Sequence, residues 1–132
     1  MGKNRLISIV IPAYNEEKRI APTLRELEPV LRKTPHEIIV VADGQDDTAG
    51  AVNRTKIRSI RILPHRDRLG KGGALNAGIH AAKGDVVVIY DADGAMPATE
   101  LPELLNALNG HDIAIGTRYS GQSHAKLTPL RK

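Results

Sequence analysis

The sequence contains no cysteine, no phenylalanine and no tryptophan, and it has three tyrosines. Without cysteine, disulfide bonds and thiolate metal sites are excluded, which suits a reducing compartment. With so few aromatic rings, the core has to consist of valine, isoleucine, leucine and alanine. The aromatic platforms on which single-stranded nucleic acids stack are missing too. We therefore expect no nucleic-acid partner, although the net charge of +4 favours anionic ligands in general.

Long hydrophobic runs are also absent. No apolar run approaches the ~20 residues that a membrane-spanning helix needs, and the N-terminus has no signal-peptide core. We expect a cytoplasmic protein, or one at the cytoplasmic face of a membrane. A chain of 132 residues that is 41% hydrophobic and 26% charged is typical of one globular domain. We therefore treat residues 1–132 as a single domain.

Five short apolar runs are predicted to be strands of a parallel sheet. They cover residues 6–11, 37–41, 57–63, 86–90 and 112–116. The first has the composition of a strand that is buried on both faces, and the second and fourth are also predicted to be buried. The third run is interrupted by polar residues, so we expect it nearer an edge.

Segments with helical spacing alternate with these runs. They cover residues 17–33, 48–53 and 74–82, and a stripe of Leu101, Leu104, Leu105 and Leu108. Pro22 fits only a first helical turn, and Pro29 should kink or shorten its helix. Asp47 or Thr48 is expected to cap the second helix, and Gly84 to stop the third. The alternation predicts βαβ units and a mainly parallel α/β sheet, whereas residues 119–132 receive no element.

Polar loops follow the strands, and the C-terminal ends of parallel strands share one edge of a sheet. The loops contain residues 14–17, 43–47, 91–93 and 116–118, and three of them are acidic. A basic chain has no structural reason to collect its acids there, so this edge is predicted to be a ligand site. Individually, Tyr14 could pack on a helix, Asp43 could form a turn and Arg118 could be a surface charge.

The motif Asp91-Ala92-Asp93-Gly94 follows the fourth run. Two carboxylates one residue apart offer hard oxygen ligands that suit Mg²⁺ or Mn²⁺, and these ions suit phosphates. Alone, the motif could equally be a turn, because aspartate and glycine are favoured there.

A second motif, Gly70-Lys71-Gly72-Gly73, has neither the spacing of a phosphate-binding P-loop nor that of a dinucleotide fingerprint. We interpret it as a close backbone approach at a helix start, where N–H groups could face an anion. The five histidines are scattered and show no metal-ligand spacing.

Four motifs in this order resemble the family 2 glycosyltransferases. They are I-V-I-P-A-Y-N-E at residues 9–16, E-I-I-V-V-A-D-G at 37–44, G-K-G-G-A-L-N-A-G at 70–78 and D-A-D at 91–93. The resemblance implies the GT-A fold, which is a Rossmann-like three-layer α/β sandwich with a mainly parallel central sheet.

The resemblance also implies residue roles. Substrate-binding positions would be Pro12, Tyr14, Glu16, Val41, Asp43, Lys71, Ala92 and Arg118. Pro12, Tyr14 and Glu16 would line a nucleoside pocket, whereas Val41 and Asp43 would contact base and ribose. Asp91 and Asp93 would be the catalytic and metal-binding residues, holding Mg²⁺ or Mn²⁺, and Arg118 would meet the pyrophosphate.

Within the family, G-K-G-G-A, D-A-D-G-A and I-G-T-R look most like the dolichyl-phosphate glucosyl- and mannosyltransferases. This implies transfer of a hexose, with inversion, from a UDP- or GDP-sugar to a polyprenyl phosphate at a membrane surface. Relatives continue beyond this length, so we expect a chain truncated at its C-terminus. The alternative is a nucleotide-sugar-binding domain without the acceptor half. A sugar nucleotidyltransferase is disfavoured, because no Gly-rich, Arg-containing loop follows the first strand.

Overall fold

The computed structural model describes residues 5–116 of the 132. In this part of the chain, a sheet of four parallel strands has the order β3-β2-β1-β4. The strands are β1 (Ile7–Tyr14), β2 (His36–Asp43), β3 (Ile60–His65) and β4 (Val86–Ile89). The parallel sheet and the edge position of the third strand are confirmed.

Helices cover both faces of the sheet. They are α1 (Ile20–Leu31), α2 (Thr48–Arg54), α3 (Gly70–Ala81) and α4 (Leu101–Ala107), and α4 follows a 3-10 turn at Ala98–Glu100. Helix α3 packs alone on one face, against β1 and β2, whereas the other helices share the larger core on the opposite face. The result is the expected three-layer α/β sandwich. Within residues 5–116, no helix has both the length and the apolar content to cross a bilayer.

The central strands β1 and β2 have continuous apolar sequences because both of their faces are covered. Ile9 and Ile38 point into the larger core, whereas Ile39 and Val41 point towards α3, and all four side chains are fully buried. Helix α3 lies very close to the sheet, since a Cβ built on Gly78 would come within 2.3 Å of the side chain of Val10. This close approach fixes the position of α3 relative to the ends of β1 and β2.

The fourth strand was predicted to be buried, but only one of its faces is covered by described residues. Val87 and Ile89 are 40% and 49% exposed, whereas their neighbours Val86 and Val88 point into the larger core. The reason is that α3 covers β1 and β2 on this face and leaves β4 uncovered.

The predicted fifth strand was also wrong for the described part of the chain. Residues 112–116 form no ladder with the sheet, and Ile113 and Ile115 are 76% and 82% exposed. The alternation of isoleucine alone does not determine a strand, because strand preference depends on packing against neighbouring residues.

Several element ends differ from the predictions. Helix α1 begins at Ile20 and continues through Pro29 to Leu31. Helix α3 already begins at Gly70 and ends where Ala82 turns to an extended conformation. Gly84 therefore does not stop the helix. It is needed for space, because a Cβ there would lie 2.6 Å from the hydroxyl of Ser8.

A polar cluster, which we call the Glu37 cluster, closes the N-terminal edge of the sheet. One carboxylate oxygen of Glu37 accepts hydrogen bonds from the Ser8 hydroxyl and the Lys83 backbone N–H, both at 2.6 Å. Arg61 lies 3.7 Å from the other oxygen and also donates to the Ala81 carbonyl. Burial alone would raise the pKa of Glu37, but these hydrogen bonds and the charges of Arg61 and Lys83 hold it below its ordinary value.

Candidate functional site

A cavity of about 360 Å³ lies at the C-terminal edge of the sheet. The strand ends of β1, β2 and β4 and the start of α3 supply its walls. The lining residues are Pro12, Ala13, Tyr14, Glu16, Asp43, Arg68, Gly70, Lys71, Ala74, Asp91, Ala92, Asp93 and Ala95. Three of the four polar loops expected at this edge thus meet in one place, which is where parallel sheets commonly bind ligands.

The end of β1 contributes an aromatic wall. Tyr14 is 45% exposed, and the guanidinium of Arg68 lies over its ring, 4.3 Å from the ring centroid. Because a long arginine side chain is flexible, a flat ligand can replace it on the face of an exposed ring. Tyr14 is therefore not a core-packing residue, which was the alternative considered from the sequence.

The Glu16 side chain is paired with Arg19, the residue that precedes α1. Both of its carboxylate oxygens accept hydrogen bonds from Arg19, at 2.7 and 2.8 Å, which is a bidentate pair. The side chain thus lines the cavity with its charge already compensated.

Asp46 and Thr48 join the loop after β2 to the loop after β1. The Thr48 hydroxyl accepts the Glu16 backbone N–H at 3.1 Å and itself donates to Asp46. The other carboxylate oxygen of Asp46 accepts the Glu17 N–H at 3.0 Å. Partial burial would raise the pKa of Asp46, but the bonds from Thr48 and the Glu17 N–H lower it. Asp46, not Asp47, also accepts the first N–H of α2, so neither predicted capping side chain performs that role.

Gly44 permits the close contact of the same two loops. Its φ is +122°, and a Cβ there would lie 2.4 Å from Oδ1 of Asn15. Asn15 itself has a left-handed conformation, with φ of 50°, and its Oδ1 accepts the Gln45 N–H at 3.3 Å. The loops that follow β1 and β2 are consequently held in close contact beside the cavity.

Asp43 is the last residue of β2, and it is only 3% exposed. Its Oδ2 accepts the backbone N–H groups of Leu69 and Gly70, at 2.8 and 3.2 Å, and so orders the start of α3. Among residues 5–116, no hydrogen-bond donor reaches its Oδ1, which is buried. Since a buried carboxylate oxygen without a donor is costly, this atom is suited to accept a hydrogen bond from an N–H or O–H group. A second cavity of about 290 Å³, lined also by His65 and Arg66, lies on the other side of Asp43.

The loop after β4 carries the two exposed aspartates. The buried Thr23 hydroxyl of α1 donates to the Ala92 carbonyl at 2.8 Å, which anchors the loop from below. Gly94 turns the chain with φ of +71°, and Oδ1 of Asp93 accepts the Ala95 N–H at 2.9 Å. On the cavity side, the Lys71 ammonium lies 3.6 Å from Oδ1 of Asp91. The loop is therefore rigid at Ala92 and presents both carboxylates outwards.

Tyr90 supports this loop and is not part of the cavity. Its ring is buried, and its hydroxyl donates to the Met96 carbonyl. Burial, with smaller contributions from Glu26, Asp91 and Glu100, raises the pKa of Tyr90 to about 12. The phenol thus stays protonated and remains a hydrogen-bond donor at any physiological pH.

The chemistry of the two aspartates fits a shared divalent ion. Among residues 5–116, no three histidine, aspartate or glutamate side chains are grouped so that they could enclose a metal by themselves. Asp91 and Asp93 offer two carboxylates on one wall of an open cavity. Mg²⁺ is commonly bound in this way, by one or two carboxylates together with substrate phosphates and water.

The structure brings together most of the residues predicted for the site. Pro12, Tyr14, Glu16, Asp43, Lys71, Asp91, Ala92 and Asp93 all line the cavity. Val41 does not, because its side chain is fully buried beneath α3. Arg118 lies outside the described residues.

Arg68 is the main lining residue that the sequence did not indicate. It belongs to a charged loop, residues 66–68, in which nothing distinguishes one arginine from the other. The only available signal was its position two residues before the glycine motif, which places it beside the start of α3.

Comparisons with known proteins agree with this geometry. The sequence profile described as "Glycosyl transferase family 2" matches residues 8–132. The chain is 39% identical, over 95% of its length, to a dolichyl-phosphate β-glucosyltransferase of Trichomonas vaginalis. It is 33% identical, over 86% of its length, to a dolichol-phosphate mannosyltransferase of Pyrococcus furiosus. It spans 42% and 33% of the lengths of these relatives.

Among solved structures, the chain is similar to glucosyl-3-phosphoglycerate synthase of Mycobacterium tuberculosis crystallised with Mn²⁺, UDP and phosphoglyceric acid. The TM-score is 0.67 at 28% identity, over 82% of this chain and 40% of that one. A mannosyl-3-phosphoglycerate synthase of Rubrobacter xylanophilus, at 23% identity and a TM-score of 0.66, has the same fold. The GT-A architecture expected from the motifs is thereby confirmed.

Proposed function

Because the chain belongs to glycosyl transferase family 2, we propose that its cavity binds a nucleoside-diphosphate sugar whose hexose is transferred to an acceptor. The observation that carries this proposal is the meeting of Tyr14, Asp43 and the Asp91–Asp93 pair in one cavity. Tyr14 supplies a stacking surface, Asp43 supplies a buried hydrogen-bond acceptor, and Asp91 and Asp93 supply a carboxylate pair for a metal ion. A nucleoside-diphosphate sugar requires all three groups.

We assign the base to the wall formed by Tyr14 and Asp43. The base would replace Arg68 on the tyrosine ring, and this movement would open the way to Oδ1 of Asp43, which has no solvent access in the structure. Since Oδ2 is already engaged by two backbone N–H groups, a single oxygen is left to accept a hydrogen bond.

This arrangement favours uracil over cytosine. Uracil presents one N–H between two carbonyl groups, which matches one free carboxylate oxygen. Cytosine presents a ring nitrogen without a hydrogen at this position, so two acceptors would face each other, and a buried polar group left unsatisfied costs about 1–3 kcal/mol. We therefore propose a UDP-sugar as the donor, in line with the UDP named for the mycobacterial neighbour.

The diphosphate is assigned to the wall between α3 and the loop after β4. Asp91 and Asp93 would hold Mg²⁺ or Mn²⁺, which supplies Lewis-acid stabilisation of the leaving diphosphate. Lys71 lines this wall and can contact a phosphate oxygen. Arg118 is proposed, from the family resemblance, to contact the pyrophosphate as well.

A polyprenyl phosphate at a membrane surface is the acceptor we propose. Phosphate monoesters have a second pKa near ~6, so the acceptor is largely dianionic at neutral pH and needs no general base. In the cavity, Glu16 is paired with Arg19, and Asp43 is held by backbone donors. Neither is placed as a free base, which agrees with direct, inverting attack by a phosphate oxygen on the anomeric carbon.

Calorimetry with UDP, GDP and CDP, each with and without Mn²⁺, tests the donor assignment. We expect Mn²⁺-dependent binding of UDP that is at least about tenfold tighter than that of CDP, as the cost of one unsatisfied group implies. Equal binding of CDP would contradict the base assignment, and equal binding of GDP would contradict the choice of a UDP-sugar. No binding of any nucleotide to a folded sample would remove the proposed function altogether.

The second candidate is a domain that binds the sugar donor but does not transfer the sugar. We keep this candidate because the chain spans less than half of the length of either relative. The relatives extend to more than twice the length of the matched region. Incubation with a labelled UDP-hexose and a polyprenyl phosphate separates the two. A labelled lipid product indicates the transferase, whereas binding without product indicates donor binding alone.

A further inference from the structure

Lys71 is the least restrained charge in the cavity. It lies in the first turn of α3, and its side chain is 70% exposed. The neighbouring Gly70 and Gly72 leave open space around it, since a Cβ at either position would meet no atom within 4 Å. Its contact with Asp91 is 3.6 Å long, which exceeds hydrogen-bond distance.

Two other cations near the cavity have different partners. Arg19 makes two hydrogen bonds to Glu16, at 2.7 and 2.8 Å. Arg68 is stacked on the Tyr14 ring. Of the described cations that line the cavity, Lys71 is the one that contacts a carboxylate of the Asp91–Asp93 pair.

The charges that line the cavity make such a change of partner necessary. Among residues 5–116, its wall holds four carboxylates, those of Glu16, Asp43, Asp91 and Asp93, against two cations, those of Arg68 and Lys71. Glu16 is already paired with Arg19, which leaves three carboxylates against two cations. A nucleoside diphosphate that enters without a divalent ion meets net negative charge. A divalent ion that arrives first meets Asp91 already paired with an ammonium.

We propose that Lys71 is an exchangeable counter-ion that occupies the place of the divalent cation at Asp91 and moves to the diphosphate when metal and nucleotide bind together. This inference rests on the proposed function, and it adds how the two ligands are coupled. In the free protein, Lys71 lowers the affinity of Asp91 for a metal. In the complex, the same ammonium neutralises a phosphate oxygen, so each ligand favours the binding of the other.

The first test measures Mn²⁺ affinity without nucleotide, by the electron paramagnetic resonance signal of free Mn²⁺ at low salt. We expect Lys71→Met to bind Mn²⁺ about two- to fivefold more tightly, as the removal of one exposed ion pair implies. Lys71→Arg should resemble the wild-type protein. Lys33→Met removes the same charge after the end of α1, at the opposite edge of the sheet, and should leave Mn²⁺ affinity unchanged.

The second test measures UDP affinity at saturating Mn²⁺. Here Lys71→Met should lower the affinity for UDP by about threefold or more, because the phosphate contact is lost. A structural role for Lys71 would instead lower both affinities together with the melting temperature. Unchanged or weaker Mn²⁺ binding by a Lys71→Met protein of normal stability would overturn the proposal.

The two proposals fail separately. If the wild-type protein binds no UDP, the proposed function is wrong, whatever the Mn²⁺ titration gives. If UDP binds with Mn²⁺ but Lys71→Met shifts neither affinity in the stated direction, only the counter-ion role is wrong.

Discussion

The two edges of the sheet both collect polar side chains, but their carboxylates are bound differently. At the N-terminal edge, Glu37 receives hydrogen bonds from Ser8 and Lys83 and lies near Arg61, although Nε of Arg61 is buried without an acceptor among the described residues. At the C-terminal edge, residues 5–116 supply no donor to Oδ1 of Asp43, and the carboxylate of Asp91 has a 3.6 Å contact with Lys71. Glu37 stabilises the fold, whereas the carboxylates of the second edge are proposed to receive a ligand. Because the carboxylates of the two edges differ in their hydrogen bonds, substitutions of them should affect different measurements.

The strongest expected effect is at the ligand edge. Asp93→Ala should weaken Mn²⁺-dependent UDP binding by at least about 100-fold, because it removes one of the two carboxylates that we propose to hold the metal. The melting temperature should change little, since the side chain is exposed. Isothermal titration at fixed Mn²⁺ measures this, with Asp112→Ala as the matched exposed control. Retained affinity would show that the metal is held elsewhere.

Asp43→Asn should shift the nucleobase preference from uracil towards cytosine, and not merely weaken the binding of uracil. The amide oxygen can still accept the Leu69 and Gly70 N–H groups, while the amide nitrogen now presents a donor. UDP affinity should fall about 10- to 100-fold, and CDP, whose ring nitrogen is an acceptor, should gain. Competition titrations with both nucleotides measure the ratio. Asp47→Asn, on the exposed start of α2, is the control, and an unchanged ratio would move the base away from Asp43.

At the N-terminal edge of the sheet, Glu37→Ala should lower stability without changing ligand binding. The substitution removes the acceptor of the Ser8 hydroxyl and the Lys83 N–H, so the free energy of unfolding should fall by about 2–3 kcal/mol. Glu28→Ala, which breaks an exposed pair with Arg32, should cost no more than about 0.5 kcal/mol. Urea denaturation measures both. Weaker UDP binding by the folded Glu37→Ala protein would erase the distinction between the two edges.

The pH dependence of stability gives the smallest and most specific effect. The pKa of Glu37 is lowered in the folded protein from an ordinary value of 4.5. Its ionised form therefore contributes stability above pH 4.5, and this contribution is lost as the pH falls through the folded value. The advantage of the wild-type protein over Glu37→Gln, about 1 kcal/mol or less, should shrink in that acidic range. Denaturation at a series of pH values checks it, and a constant difference would show that the charge is unimportant.

The sequence predicted those features that depend on one run of residues. Continuous valine and isoleucine indicated doubly covered strands, and the aspartate pair after residue 90 indicated the ligand edge. The features that were missed depend on neighbours that are distant in the chain. The uncovered face of Val87 follows from where α3 packs, and residues 112–116 do not pair although β4 has a free edge among the described residues. Ser8, Glu37 and Lys83 form a cluster that only the fold brings together, and Arg68 was one arginine of two.

The uncovered strip of Val87 and Ile89 has a practical consequence for all of these experiments. Among the described residues, β4 is an edge strand without a charged or proline residue, whereas β3, at the opposite edge, carries Arg61 and Pro64. Unprotected apolar edges favour association between molecules. A titration at high protein concentration would then report dissociation of such assemblies together with binding. Heats and affinities should therefore be collected over a dilution series, and only values that are independent of protein concentration describe the single molecule.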